Sequence, residues 1–238
     1  MASSSWLTQV RSLTNEVFDL IFPPVCINCR KVGDILCQNC LTDTPWIDEP
    51  ICPACGRILA APAESCPICL DHPLPLQQIR AAVAFEGLIP NVVHQMKYNG
   101  FFALAQPLAD MMIEAWPRWQ SDVDLVMPVP LHPQRQKKRG YNQSDLLVKR
   151  FCQRLNLPHD LQSLRRLRAT PPQVGLNAAE RRVNVKDAFL LTGNGLAGRH
   201  VMLVDDVCTT GSTLSAATEV LLAAGVDRVS AYCVARAT

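Results

Sequence analysis

The first apolar pattern along the chain has the spacing of an amphipathic α-helix. Apolar side chains recur every three or four residues in the opening segment, at Trp6, Val10, Leu13, Val17 and Leu20. Pro23 and Pro24 end this pattern, because proline lacks the amide hydrogen that a helix interior needs. We therefore predict a helix over residues 1–24 that docks on the rest of the protein. A membrane-surface helix is the alternative, and it is disfavoured because the polar face is not basic.

A second apolar pattern, the short continuous run, predicts strands of a parallel sheet. Val201–Val204 is such a run, as expected of a strand buried on both faces. A helical pattern follows over Leu214–Ala224, and Gly225 closes it as a helix-ending residue. Val123–Met127 has a strand pattern as well. We therefore predict an α/β domain over residues 78–238, with a mostly parallel sheet flanked by helices.

Composition and charge narrow the classes of protein that fit. Apolar residues make up 48% of the chain, which permits a buried core and disfavours disorder. No apolar run approaches the roughly 20 residues of a membrane-spanning helix, and the N-terminus lacks the charged region of a secretory signal. The net charge is only +2, but residues 131–185 carry twelve Lys and Arg against three Asp and Glu. We expect that stretch to attract anions such as phosphates or nucleic acid.

Eight of the eleven cysteines form four C-x-x-C pairs between residues 25 and 72. The pairs are Cys26/Cys29, Cys37/Cys40, Cys52/Cys55 and Cys66/Cys69. A two-residue gap lets both thiolates of one turn bind the same tetrahedral ion, so four pairs predict two zinc ions. Sequential pairing needs the shortest loops and is favoured, with a cross-braced pairing as the alternative. Because a four-sulfur site has no open coordination position, the predicted zinc is structural.

Two other uses of these pairs fit the sequence less well. Redox-active pairs would need a thioredoxin-like βαβ setting, which does not surround them, and a [4Fe–4S] cluster fits the paired spacing less well than zinc. The remaining cysteines, Cys152, Cys208 and Cys233, lie apart from the pairs and are interpreted as small buried residues.

The segment after the Val201–Val204 run has the layout of a phosphate site. Asp205 and Asp206 follow the run, and a small polar loop over residues 209–213 precedes the predicted helix. The loop amides and hydroxyls would gather at the helix N-terminus, where the helix dipole favours anions, and Gly211 permits close backbone approach. The two carboxylates can accept hydrogen bonds from the vicinal hydroxyls of a ribose. A P-loop and a Rossmann site are excluded, because their glycine signatures are missing.

A cationic run after the Val123–Met127 strand predicts a second anion site. It contains His132, Arg135, Lys137, Lys138 and Arg139, with Lys149 further along. Such cations would stabilise a departing pyrophosphate together with Mg²⁺. A solvated basic loop is the alternative. The stretch Arg165–Asn184 also has two interpretations: it is either a mobile hood over the site or an exposed basic loop.

The stretch VMLVDDVCTTGSTL resembles the phosphoribosyl-pyrophosphate (PRPP) motif of type I phosphoribosyltransferases. This resemblance implies the type I phosphoribosyltransferase fold, with Asp205 and Asp206 as the catalytic pair that holds the ribose hydroxyls. It also implies a loop that holds the 5′-phosphate, formed by Thr209, Thr210, Gly211, Ser212 and Thr213. The pyrophosphate group would then face Arg135, Lys137, Lys138 and Arg139.

The order of motifs over nearly the whole chain resembles the ComF family, which includes the ComFC and GntX proteins. After the cysteine pairs come MKYNGFFALAQPLA, MPVPLHPQRQKKRGYNQS and RATPPQVGLNAAERRVNVKDAF, and the PRPP motif closes the series. The resemblance implies a bacterial cytoplasmic protein of DNA uptake, whose acceptor for phosphoribose is unknown. It leaves three functions open: a phosphoribosyltransferase, a non-catalytic module that binds PRPP or single-stranded DNA, and a zinc ribbon that docks proteins of the uptake machinery.

Four aromatic side chains bear on the DNA-binding alternative. Phe101 and Phe102 are expected in the core, whereas Tyr98 and Tyr141 are equally compatible with the core and with base stacking.

Overall fold

The computed structural model describes residues 23–119, 122–168 and 188–237. The predicted N-terminal helix and most of the Arg165–Asn184 stretch lie outside the described residues. The chain divides into two compact units, Met1–Thr44 and Pro45–Thr238. This division falls inside the predicted 25–72 segment, so the second two cysteine pairs share a unit with the sheet. The predicted domain boundaries themselves stay predictions.

Six strands occur in the described residues. They are β1 (Gln78–Ala84), β2 (Leu125–Pro128), β3 (Leu164–Arg166), β4 (Phe189–Leu191), β5 (His200–Cys208) and β6 (Arg228–Arg236). Four of them form a parallel sheet in the order β1-β6-β5-β2, and β3 and β4 form a separate antiparallel pair. The central strands β5 and β6 are buried along most of their length, which explains their nearly continuous apolar sequence.

The described residues also contain seven α-helices. They are α1 (Gln38–Leu41), α2 (Pro67–Asp71), α3 (Ile89–Tyr98), α4 (Ala105–Trp119), α5 (Pro133–Arg139), α6 (Gln143–Leu155) and α7 (Ser212–Ala223). A short 3-10 turn, Phe102–Leu104, connects α3 to α4. None of these helices is long and apolar enough to cross a membrane.

Both faces of the sheet are covered. Successive side chains of β6 point to opposite faces of the sheet, and all but the first residue of this strand are buried. On one face Tyr232 packs between Trp116 of α4 and Phe151 of α6, with ring centroids 5.3 and 5.6 Å away. The buried Tyr232 hydroxyl donates to the carbonyl of Met112 at 2.7 Å. On the other face Leu214 and Leu221 of α7 join the core that includes the neighbouring β6 residues. The predicted α/β architecture with a mostly parallel sheet is confirmed.

The structure extends one predicted strand and confirms a predicted helix end. The strand predicted at Val201–Val204 reaches Cys208, so Asp205 and Asp206 lie within β5, near its carboxyl end. Gly225 adopts a φ of +85° directly after the end of α7, as predicted for the residue that terminates that helix.

Candidate functional site

Each compact unit contains one four-cysteine cluster. The sulfurs of Cys26, Cys29, Cys37 and Cys40 lie within 4.8 Å of one another, and so do those of Cys52, Cys55, Cys66 and Cys69. In each cluster the first pair lies on a tight turn and the second pair at the start of a short helix, α1 or α2. The pairing is therefore sequential, and the cross-braced alternative is wrong. Gly56 follows the turn of the second cluster at a φ of +67°.

The spacing of the sulfurs fits a tetrahedral zinc ion in each cluster. Zinc–sulfur bonds of about 2.3 Å place tetrahedral sulfurs about 3.8 Å apart. Cys26 and Cys40 are separated by 3.7 Å, and Cys55 and Cys66 by 3.7 Å as well. The family resemblance and this geometry are consistent with two structural zinc ions, each in a closed site.

Backbone amides prepare one cysteine of each cluster to act as a thiolate. The amide of Cys37 donates to the sulfur of Cys26 at 3.5 Å, and that of Cys66 to the sulfur of Cys52 at 3.4 Å. Burial by itself raises the pKa of Cys26 and of Cys52, but the amide hydrogen bonds outweigh burial and lower both pKa values to about 6.

The predicted phosphate loop lines a small cleft at the carboxyl end of β5. The other lining residues are Asp205, Val207, Cys208 and Leu214. Gly211 takes a φ of +81° immediately before α7, a conformation that glycine adopts without strain. The hydroxyls of Thr210 and Ser212 lie 2.7 Å apart, and Thr210 also accepts from the Ser212 amide at 3.3 Å. The loop therefore presents hydroxyls at the N-terminus of a three-turn helix, where anions are favoured.

The two aspartates of the predicted pair have different surroundings. Asp206 is buried, and its Oδ1 lies 2.7 Å from the ammonium nitrogen of Lys97 at the end of α3. Asp205 is only partly buried, and its Oδ1 accepts from the Ser144 hydroxyl at 3.1 Å and from the Asp206 amide at 2.9 Å. Of the two, Asp205 lines the cleft. The sequence predicts the same role for both acids, but in the structure only Asp205 lines the cleft and only Asp206 is paired with Lys97.

Electrostatics reinforce this difference. Burial and the negative charge of Asp206 raise the pKa of Asp205 to about 7, against the opposing effects of Lys97 and Ser144. Burial lowers the pKa of Lys97, but the two aspartates outweigh it and the net shift is upward, so Lys97 remains a cation. The cleft thus contains a carboxyl group that titrates near neutral pH beside a fixed ion pair.

Residues 139–144, from the end of α5 to the start of α6, hold the acidic pair in position. Asn142 caps α6 by accepting from the Ser144 amide at 3.4 Å, and its side-chain nitrogen donates to the Val129 carbonyl at 3.2 Å. The Tyr141 hydroxyl donates to the carbonyl of Met96, one residue before Lys97. The stretch RGYNQS therefore supports both sides of the acidic pair.

The predicted pyrophosphate residues divide between two faces of α5. Arg135 and Arg139 are one helical turn apart and partly buried, whereas Lys137 and Lys138 are exposed on the other face. The Arg139 guanidinium lies 5.6 Å from the Tyr98 ring and donates to the side chain of Gln143. The structure thus separates two partly buried arginines from two exposed lysines.

The expected burial of two aromatic residues is wrong. Phe101 is 49% exposed and Phe102 is 62% exposed, because the 3-10 turn after α3 presents them outward. Tyr98 is 65% exposed, and the Phe102 ring makes an edge contact with Tyr141 at 6.2 Å. These side chains form an exposed aromatic patch, defined here as Tyr98, Phe101 and Phe102, next to Lys97.

Two residues that contact the acidic pair were missed from the sequence. Lys97 lies in MKYNGFF and Ser144 in RGYNQS, stretches that supported the family resemblance without indicating a role for either residue. Their closeness to the acidic pair depends on contacts between segments distant along the chain, which no local pattern encodes.

Family models match the cysteine-rich segment and the C-terminal part of the α/β domain. Residues 17–70 match the Double zinc ribbon domain family, and residues 156–238 match the Phosphoribosyl transferase domain family. The chain is 31% identical to DNA utilization protein YhgH of Escherichia coli O157:H7, over 91% of this chain and 99% of that protein. It is 32% identical to Competence protein F of Haemophilus influenzae, over 89% and 96% of the two chains. A purine phosphoribosyltransferase structure from Pyrococcus horikoshii aligns at 16% identity and a TM-score of 0.36, over 55% and 71%.

Proposed function

The chain belongs to the ComF family, which includes competence protein F and the DNA utilization protein YhgH, and from this premise we propose that it binds PRPP with Mg²⁺ and transfers its phosphoribosyl group during DNA uptake or utilisation in the cytoplasm. The type I phosphoribosyltransferase fold supports the substrate class. The names of the relatives support the process, and the acceptor is left unassigned.

The observation that carries this proposal is the juxtaposition of Asp205 with the phosphate loop. One cleft is lined by Asp205 and by the loop residues that lead into α7. A ribose 5-phosphate offers hydroxyl donors at one end and a dianion at the other. The loop would hold the 5′-phosphate, and Asp205 would accept from a ribose hydroxyl. Asp206, buried against Lys97, would hold the carboxyl end of β5 in place.

The proposed reaction breaks the bond between the anomeric carbon and a pyrophosphate oxygen. The bonding electron pair leaves with pyrophosphate, and an acceptor supplies the pair for the new bond and loses its proton. Mg²⁺, bound with PRPP, would supply charge neutralisation on the phosphate oxygens. Arg135 and Arg139, on the partly buried face of α5, are the cations proposed to face the leaving group. No residue is assigned as a general base.

Thermal unfolding with PRPP and Mg²⁺ tests the binding step. At about 100 times its dissociation constant, PRPP should stabilise the protein by about 2.7 kcal/mol, or several degrees at about 2–4 °C per kcal/mol. Asp205→Asn should lose most of the shift, and Cys152→Ser is a control outside the cleft. No Mg²⁺-dependent shift in the wild-type protein would reject the proposal. Pyrophosphate release with candidate acceptors then tests transfer.

A second candidate function is non-catalytic binding of single-stranded DNA. The exposed aromatic patch favours it, since exposed rings stack on bases and Arg139 beside Tyr98 can add phosphate or cation–π contact. Binding of an oligothymidine that weakens with salt and survives Asp205→Asn would support this candidate. Stacking contributes about 1–3 kcal/mol per base, so Tyr98→Ala combined with Phe102→Ala should weaken that binding at least tenfold. Leu70→Ala, at a similarly exposed apolar residue, is the matched control.

A further inference from the structure

Arg236, the last residue of β6, is a charged side chain that the fold buries almost completely, with 2% of it exposed. Its Nε donates to the backbone carbonyl of Cys55 at 2.9 Å. One of its terminal nitrogens donates to the carbonyl of Cys208 at 2.9 Å and to that of Thr209. A single guanidinium therefore joins the turn of the second cysteine cluster to the first residue of the phosphate loop.

Ile79 of β1 forms a second connection between the same two segments. Its amide donates to the carbonyl of Ala54, inside the Cys52–Cys55 turn, at 2.7 Å. The backbone at Gly56 approaches the Ile79 carbonyl so closely that a Cβ there would lie 2.5 Å from the oxygen. On the other side, a Cβ at Gly211 would lie 3.2 Å from the end of the Ile79 side chain. The buried Ile79 thus lies between the cysteine turn and the phosphate loop.

The hydrogen bonds of Arg236 depend on the positions of the two turns that it joins. A buried guanidinium is costly unless its donors are hydrogen-bonded, and Arg236 donates to backbone carbonyls, whose positions are set by those turns. If the Cys52–Cys55 turn relaxes, the Cys55 carbonyl leaves the guanidinium, which must then rearrange around Cys208 and Thr209. A metal ion that fixes the cysteine turn therefore also fixes the entry to the phosphate loop.

We propose that the second cysteine cluster, through Arg236, positions the phosphate loop, so that affinity for PRPP depends on the metal held by that cluster. This inference rests on the proposed function, since PRPP is the ligand by which it is measured. Arg236 is in this view a positioning residue that never touches the ligand. The second zinc site then acts on the ligand site in addition to stabilising its own turn.

The first experiment compares matched lesions in the two clusters of the full chain. Cys66→Ser/Cys69→Ser opens the second cluster and leaves the Cys55 turn unchanged in sequence, whereas Cys37→Ser/Cys40→Ser opens the first cluster in the other compact unit. Zinc content, the dissociation constant for PRPP with Mg²⁺, and hydrogen exchange of the amides at residues 209–213 are measured. We expect only the second-cluster lesion to weaken PRPP binding, by about tenfold or more, and to speed exchange in the loop. Equal effects of the two lesions would overturn the proposal.

Arg236→Lys is a second variant that keeps the charge and both cysteine clusters. Lysine lacks the planar fork, so it cannot join Cys55 and Thr209 at once. We expect full zinc content, native exchange in the centre of β5, faster exchange at residues 209–213, and PRPP binding about tenfold weaker, or about 1.4 kcal/mol. Wild-type exchange and affinity in this variant would overturn the coupling. Absence of PRPP binding in the wild-type protein would instead reject the proposed function, while the exchange comparison would still decide the coupling.

Discussion

The ammonium nitrogen of Lys97 lies 2.7 Å from a carboxylate oxygen of Asp206, in an ion pair where the Asp206 side chain is 3% exposed and the Lys97 side chain 22%. The second carboxylate oxygen of Asp206 is buried and has no hydrogen-bond partner among the described residues. Lys97 is therefore the cation that offsets the burial of Asp206. This ion pair distinguishes Asp206, which is paired with a cation of the protein, from Asp205, which lines the cleft.

Removing Lys97 should destabilise the protein strongly. Lys97→Met leaves a buried carboxylate without its cation, and breaking a buried pair from one side costs about 3–5 kcal/mol. Because Lys97 is partly exposed, we expect the lower end of that range. Urea unfolding measures the loss. In Lys97→Met/Asp206→Asn the unpaired charge is gone, so part of the stability should return. A loss below about 1 kcal/mol in Lys97→Met, the size of a surface pair, would contradict this role.

The contribution of Asp205 to the free energy of unfolding should fall as pH rises from about 4 to about 7. The pKa of Asp205 is raised to about 7 in the folded state, above its ordinary value of 3.8, so the folded protein binds more protons than the unfolded chain in that window. Stability from this group is full below pH 4 and is lost by about pH 7. Unfolding free energies of wild type and Asp205→Asn, compared across pH, isolate this contribution. An identical pH dependence in both proteins would contradict it.

The same titration should govern binding of PRPP. In the proposed complex a ribose hydroxyl would donate to the ionised form of Asp205, so affinity should weaken below about pH 7, by up to tenfold per pH unit. Titration calorimetry at several pH values measures this dependence. Asp205→Asn supplies the baseline, because its remaining pH dependence belongs to the phosphates of the ligand. If that variant retained the full wild-type pH profile, Asp205 would not be the titrating group.

The sequence predicted the parts of the site that are continuous in the chain. Asp205, Gly211 and the loop hydroxyls occur within one strand, loop and helix, where apolar runs and turn residues are diagnostic. Lys97 of α3 and Ser144 of α6 contact the acidic pair from elements distant along the chain. No periodicity in the sequence specifies such contacts.

The expected core position of Phe101 and Phe102 is wrong for a physical reason, because a one-turn 3-10 helix cannot turn every side chain inward. For Arg236 no local pattern indicates a role, because only the folded chain brings its guanidinium to the carbonyls of Cys55 and Cys208.

Glycine at position 56 should be required by close packing as well as by backbone conformation. Gly56 and Gly100 have similar φ values of +67° and +73°, but a Cβ would lie 2.5 Å from the Ile79 carbonyl oxygen at Gly56 and meets nothing within 4 Å at Gly100. Gly100→Ala should therefore cost only the left-handed conformation, about 1–2 kcal/mol. Gly56→Ala should cost clearly more, because backbone must move. Equal losses in urea unfolding would show that the approach to Ile79 is unimportant.

The two faces of α5 should contribute unequally to PRPP binding. Arg135 and Arg139 are partly buried, whereas Lys137 and Lys138 are exposed. Hydrogen bonds from charged donors contribute about 1.5–3 kcal/mol each, so Arg135→Gln/Arg139→Gln should weaken PRPP binding by at least tenfold. Lys137→Gln/Lys138→Gln removes the same formal charge and should have a small effect that vanishes at high salt, since exposed charges act through screened fields. Titration calorimetry of both variants with PRPP, and with ribose 5-phosphate, which lacks the pyrophosphate, isolates the contribution of the leaving group. If the lysine variant lost as much affinity as the arginine variant, the whole run would act as a diffuse basic surface and the pyrophosphate assignment to the arginine face would be wrong.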